Sequence, residues 1–145
     1  MKKLAIVVVL AAALVGTIWY LEQPTRGVEP VVWSQATCAH CKMHIGDKRF
    51  AAQLQTKEGE VYNFDDSGCV FEWIAENAPS IKQIYFHHYR EDRWLDYRKV
   101  GFIRTDEPTP MGYGLGAVER ANHPDAMSFS KASNAVLTGE IDPES

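Results

Sequence analysis

The chain has 145 residues, 46% hydrophobic and 23% charged, with a formal net charge of −4 and three cysteines. That length suits one domain, or two very small halves sharing a core, and excludes a large multidomain enzyme. The mild acidity leaves no basic stripe to neutralise phosphates, so nucleic acid is excluded as a partner.

Lys2 and Lys3 precede an apolar run from Leu4 to Leu21 with no charge inside it. A run of that length meets the lower limit for a membrane-spanning helix and slightly exceeds the usual apolar core of a secretory signal. Ala11-Ala12-Ala13 offers small residues for a cleavage site, but the cut would leave Leu14 to Leu21 still apolar behind it. An uncleaved signal anchor over residues 1–21 is therefore favoured. The lysines stay cytoplasmic, Trp19 and Tyr20 sit at the far interface, and the rest is exported to the periplasm or extracytoplasmic space. No cysteine lies near the end of the run, which excludes a lipid-modified one. Residues 22–30, with Pro24, Gly27 and Pro30, read as an extended tether.

Residues 31–145 form the exported domain, with halves of about 31–91 and 92–145. Val31-Val32-Trp33 leads into a cysteine-rich turn from Thr37 to Met43. Phe50 to Thr56 alternates, Lys57-Glu58-Gly59-Glu60 is a turn signal, and Val61 to Phe64 resumes the alternation, which predicts a β-hairpin. Asp65-Asp66-Ser67 offers an N-cap, and Val70, Trp73, Ile74 and Asn77 recur at helical spacing until Pro79, predicting a helix from Ser67 to Ala78. Ile81 to Tyr89 reads as a strand. In the second half, Trp94 to Thr105 is strand-like and Asp106 to Gly114 is a proline- and glycine-rich loop. Gly116 to Glu119 is a short strand, a helix runs from Pro124 to about Ala132, and Ala135 to Ile141 closes as a last strand. The fold class is α+β, two small strand-strand-helix-strand modules packed together behind the anchor.

The chemistry concentrates in Cys38-Ala39-His40-Cys41-Lys42-Met43-His44. Four classes use two thiols at this spacing. Thiol–disulfide exchange through Cys38 and Cys41 suits an oxidising compartment, although such a pair normally opens a helix, and none is predicted here. Covalent haem needs His directly after the second cysteine, where Lys42 stands. Structural zinc asks for four ligands, whereas the remaining cysteine is Cys69, and His87 and His88 are adjacent strand residues facing opposite sides. Monovalent copper is soft, accepts thiolate and thioether at low coordination number, and is the class for which Met43 beside the thiols is the telling addition.

A second methionine, Met111, stands on a shaped loop, Thr109-Pro110-Met111-Gly112-Tyr113-Gly114. It reads either as an apolar plug or as a soft ligand brought from the second half to the cysteine turn. His40 and His44 are additional candidate ligands, with solvated side chains as the plainer reading. Cys69 reads as a buried small hydrophobe, Met127 as core, and Asp65 and Asp66 as helix caps. No catalytic site stands out beyond the thiols.

In order, Cys38-x-x-Cys41-x-Met43, Tyr62-Asn63-Phe64-Asp65-Asp66, Trp94-Leu95-Asp96-Tyr97 and Pro110-Met111-Gly112-Tyr113-Gly114 make a pattern that resembles the NosL family. These are exported copper-binding accessory proteins of nitrous oxide reductase maturation. The likeness spans about Thr37 to Ile141. It implies a fold of two similar modules, akin to part of alkylmercury lyase, and Cu(I) as cargo. It also implies Cys38, Cys41, Met43 and Met111 as metal ligands, with Cys41 and Met111 the firmer pair.

From the resemblance the chain is expected to be a non-enzymatic, membrane-anchored metallochaperone. Its partners would be a copper-site assembly machinery or transporter at the inner membrane and a recipient cuproenzyme of denitrification. The rival reading is a thiol–disulfide oxidoreductase using Cys38 and Cys41. The chain departs from the family pattern in lacking a lipid-bearing cysteine and in carrying Lys42 where Gly is common.

Overall fold

In the computed structural model, the structure describes residues 11–17 and 27–143. Residues 11–17 are helical and exposed. The rest of the predicted anchor, and residues 22–26 of the tether, lie outside the described residues. Among the described residues no helix is long and apolar enough to cross a membrane.

The folded part contains the predicted antiparallel hairpin, of β1 (Ala52–Thr56) and β2 (Val61–Phe64), in the register Ala52↔Phe64 and Leu54↔Tyr62. Its turn closes through Gly59 at φ +93, in the left-handed region that glycine adopts without cost. Helix α1 (Ser67–Asn77) follows, capped by the Asp66 side chain and ended by Ala78 in the left-handed conformation ahead of Pro79. Strand β3 (Ile81–His87) pairs antiparallel with β1. β4 (Trp94–Asp96) pairs with β3 and completes a four-stranded sheet in the order β2-β1-β3-β4. The polar face of β1 is roofed by the chain itself. Gln55 Nε2 donates to Gly27 O at 2.8 Å, and Gln53 exchanges bonds with Glu29 N at 2.8 Å and Glu29 O at 3.0 Å. Residues 27–29 are thus fastened to the sheet, which is why both glutamines are buried.

The second half departs from its prediction in three places. The apolar run Trp94 to Thr105 is not one strand. Asp96 accepts from Arg98 N, Lys99 N bonds Asp96 O, and the chain turns, so that β5 (Val100–Arg104) leaves for a second antiparallel sheet, ordered β6-β5-β7 with β6 (Leu115–Glu119) and β7 (Met127–Ser128). Pro124 opens no helix; it lies in a turn closed by Ala126 N to His123 O, after a 3-10 turn at Arg120–Asn122. The helix is α2 (Phe129–Leu137), capped by Ser128, and its buried Ala132, Ala135 and Val136 hold helical spacing where a last strand was expected. Gly139 at φ +74 terminates it, with Gly139 N bonded to Val136 O and Ile141 N to Ala135 O. The helix of the second half thus follows its last strand, unlike that of the first.

The two sheets share one α+β core. Phe71 of α1 meets Phe86 of the first sheet, Phe102 of the second and Phe129 of α2 at ring-centroid distances of 6.2, 5.5 and 5.3 Å, and Phe86 meets Phe102 edge-on at 5.0 Å. Such tilted and edge-to-face pairs each add roughly 0.5–1.5 kcal/mol to the burial of the rings. This locks α1, the element carrying Cys69, between the halves.

Candidate metal centre

The segment Cys38 to Met43 is a closed turn. Cys38 N donates to Met43 O at 2.8 Å, Lys42 N donates to Cys38 O at 3.1 Å, and Thr37 bridges His44 across its base. Ala39 N donates to Asn63 O at 2.8 Å, which ties the turn to the edge strand β2. Lys42 sits at φ +67, a conformation that suits glycine and strains a side chain. Its ammonium donates to Ala39 O inside the same turn.

β2 runs directly into Asp65, Asp66 and the first turn of α1, so the end of the strand, the start of the helix and the cysteine turn meet. Among the described residues, ligand atoms of Cys38, Cys41, Asp65 and Cys69 all lie within 4.8 Å of one another. Cys41 Sγ donates to the Asp65 carboxylate at 3.3 Å, and Cys69 Sγ approaches the same oxygen at 3.6 Å. Cys38, Asp65 and Cys69 are buried, whereas Cys41 is half-buried. All three thiols are free.

Their proton affinities diverge. The hydrogen bond from Cys69 draws the Cys38 thiol down to about 6. Burial pushes Cys41 up to about 12, and hydrogen bonding to Cys38 drives Cys69 far up. Within the cluster Cys38 is thus the thiol that ionises first, while Cys41 and Cys69 hold their protons more tightly.

Asp66 turns the other way. Its Oδ1 accepts from Gly68 N at 3.1 Å, and its Oδ2 accepts from Thr109 Oγ1 at 2.6 Å and Met111 N at 3.1 Å. The Pro-Met-Gly loop from the second half is thereby held at the residue next to Asp65. Gly112 N to Thr109 O and Gly114 N to Thr109 Oγ1 close the loop on itself. Met111 is half-buried against the core, and Met43 is 52% exposed on the turn.

The remaining sequence candidates fall elsewhere. His40 faces α1, with Nε2 2.8 Å from Glu72 and Nδ1 3.4 Å from Glu76, so both ring nitrogens already have carboxylate partners. His44 is exposed. His87 and His88, expected on opposite faces, are both buried. The chain leaves the strand at His88, whose ring is held by Arg90 N and Glu91 N. Met127 packs against the core from β7, not from a helix. A cleft of about 550 Å³, lined by Lys48, Arg49, His87, Arg90 and Glu107, is away from the thiols and crossed by ion pairs.

Two site residues escaped the sequence reading. From the sequence Cys69 reads as a small hydrophobe and Asp65 as a cap, yet both face the cysteine turn. Asp65 stands just ahead of the N-cap and Cys69 in the first turn of α1, so both lie where the strand end meets the helix start.

The family model described as NosL matches residues 31–143. The fold is similar to the crystal structure of the copper chaperone NosL from Shewanella denitrificans. Identity is 20% over 80% of this chain and 89% of that chain, with a TM-score of 0.52. No curated protein matches the sequence significantly.

Proposed function

The chain belongs to the NosL family, and from that premise we propose that it is a periplasmic Cu(I) chaperone, held at the inner membrane by residues 1–21. It would receive copper from membrane assembly machinery and deliver it to an exported cuproenzyme, with nitrous oxide reductase as the recipient the family suggests. The observation that carries this reading is the gathering of Cys38, Cys41, Asp65 and Cys69 within 4.8 Å, with the backbone of Met111 bonded to the residue next to Asp65. Cuprous ion is soft and asks for few ligands, so the two thiolates of the cysteine turn and the thioether of Met111 are its ligands. Met43, exposed on the same turn, is the ligand at which an incoming partner first competes. Half-exposed Cys41 leaves the site open enough for ligand exchange, which a carrier requires.

The oxidoreductase reading is weaker on geometry. A nucleophilic thiol has to be both ionised and reachable. Here the ionised thiol, Cys38, is fully buried, and the accessible one, Cys41, holds its proton to about 12. The three sulfurs and one carboxylate also make a set that zinc accepts, so the decisive experiment includes zinc. The reduced chain is titrated anaerobically with Cu(I) against a strong chelator, and with Zn(II), in parent and Met111→Ala forms. The expected result is one Cu(I) per chain, weakened in Met111→Ala, and no turnover of a model disulfide. Preferential zinc retention indifferent to Met111→Ala, or rapid disulfide turnover, would overturn the proposal.

A further inference from the structure

Asp66 is fully buried, and its carboxylate serves both its own helix start and a loop 43–45 residues further along the chain. One oxygen caps α1 through Gly68 N at 3.1 Å. The other takes the Thr109 hydroxyl at 2.6 Å and the Met111 amide at 3.1 Å. A cap alone needs only the first of these, and serine or asparagine supplies it as well. The second oxygen is spent wholly on the Met111 loop. Thr109 is itself buried, and its hydroxyl oxygen also accepts from Gly114 N at 3.1 Å, so the bond that reaches Asp66 also sets the shape of the loop.

The backbone at Asp66 is extended, φ −143 and ψ 145. Asp65 accepts from Cys41 and Cys69, while the next residue, Asp66, accepts from the loop. Two adjacent carboxylates whose Cα atoms are about 3.8 Å apart thus tie the thiols and the Met111 loop to the same strand end.

We propose that Asp66, acting through Thr109, is the positioning residue that holds the Met111 thioether in register with the thiols so that both engage one cuprous ion. The inference rests on the copper reading above and extends it to a residue that touches no metal. Partners that orient ligands without binding the metal commonly govern affinity by roughly 10–100-fold.

The test uses the full chain and four variants: Thr109→Val, which keeps shape but loses the hydroxyl, Thr109→Ser, which restores it, Met111→Ala, and Thr109→Val with Met111→Ala. Asp66→Asn is a fifth, made in case the valine variant unfolds. Cu(I) affinity is read by chelator competition. Sulfur coordination is read by X-ray absorption, and loop order by amide hydrogen exchange over residues 109–114.

Thr109→Val is expected to weaken Cu(I) roughly 10–100-fold, to lose a thioether contribution from the absorption spectrum and to exchange faster in the loop. Thr109→Ser should bind as the parent does. The double variant should bind no worse than Met111→Ala, because both changes remove the same ligand. Parent-like affinity in a folded Thr109→Val, or losses that add fully in the double variant, would overturn the clamp while leaving the copper reading intact. A parent that fails to bind Cu(I) would overturn the copper reading itself and the inference with it.

Discussion

The ring of Tyr113 lies flat on Gly68: a Cβ added at that glycine would stand 2.2 Å from Tyr113 Cδ2 and Cγ. The first turn of α1 and the Met111 loop therefore touch twice, once through the Asp66 carboxylate and once through this face-on contact. A helix interior normally prefers alanine to glycine by about 0.8–1.0 kcal/mol. The Tyr113 contact reverses that preference. Gly68→Ala should destabilise the chain by about 1–3 kcal/mol through overpacking, measured by denaturant unfolding beside the parent. A stabilised Gly68→Ala would show that the ring gives way freely and that the loop is loosely held.

Lys42 occupies a left-handed position in the cysteine turn at φ +67. A side chain there costs about 1–2 kcal/mol, partly regained by glycine's greater freedom when unfolded and by the bond from Lys42 Nζ to Ala39 O. Lys42→Gly should accordingly raise stability by up to ~1 kcal/mol, seen as a higher thermal midpoint. A lower midpoint would mean that the lysine's bond outweighs its backbone strain.

The first half of the fold was legible because its signals are local. The hairpin alternates through Gln53 and Gln55, and α1 begins at Ser67 behind its Asp66 cap. The second half was not, because its boundaries depend on partners distant in sequence. Trp94 to Thr105 reads as one strand, yet its two ends belong to different sheets, and only the Asp96–Arg98 turn marks the break. Ala135 to Ile141 reads as a last strand, whereas the spacing of Ala132, Ala135 and Val136 before Gly139 carries a helix. At the site, the thiol turn and the methionine loop were visible as motifs. The part taken by Asp65 and Cys69 was hidden, since capping and burial explain the same residue types without invoking a metal.

His88 is buried, and its Nδ1 accepts from Arg90 N and Glu91 N, both at 3.1 Å. That ring must be neutral, since a proton on Nδ1 would face two N–H groups. Burial lowers its pKa below the ordinary value. The unfolded chain takes up this proton near pH 6.5, the folded chain only at lower pH. Between those two values the unfolded state binds more protons, so stability falls as pH drops through the window and is level above it. Denaturant midpoints from pH 8 down to 5 should therefore decline below about 6.5. In His88→Asn, whose amide oxygen can replace the Nδ1 acceptor, the decline should be shallower. Identical slopes in the two proteins would assign the acid loss to other groups.

The unequal thiols predict how copper binding depends on pH. Cys38, drawn down to about 6 by the hydrogen bond from Cys69, is already ionised at neutral pH and releases no proton on binding. Cys41, raised to about 12 by burial, must lose its proton to coordinate. Metal binding that releases one proton strengthens about tenfold per pH unit. Between pH 7 and 8.5, Cu(I) affinity corrected for the competing chelator should therefore rise with a slope of one in logarithmic units. Cys69, held protonated far above neutral by its hydrogen bond to Cys38, stays a donor, so Cys69→Ser should keep that slope. A parent slope of two that falls to one in Cys69→Ser would make the third thiol a ligand. A slope of zero would remove Cys41 from the copper site and leave Cys38 and the thioethers to hold the ion.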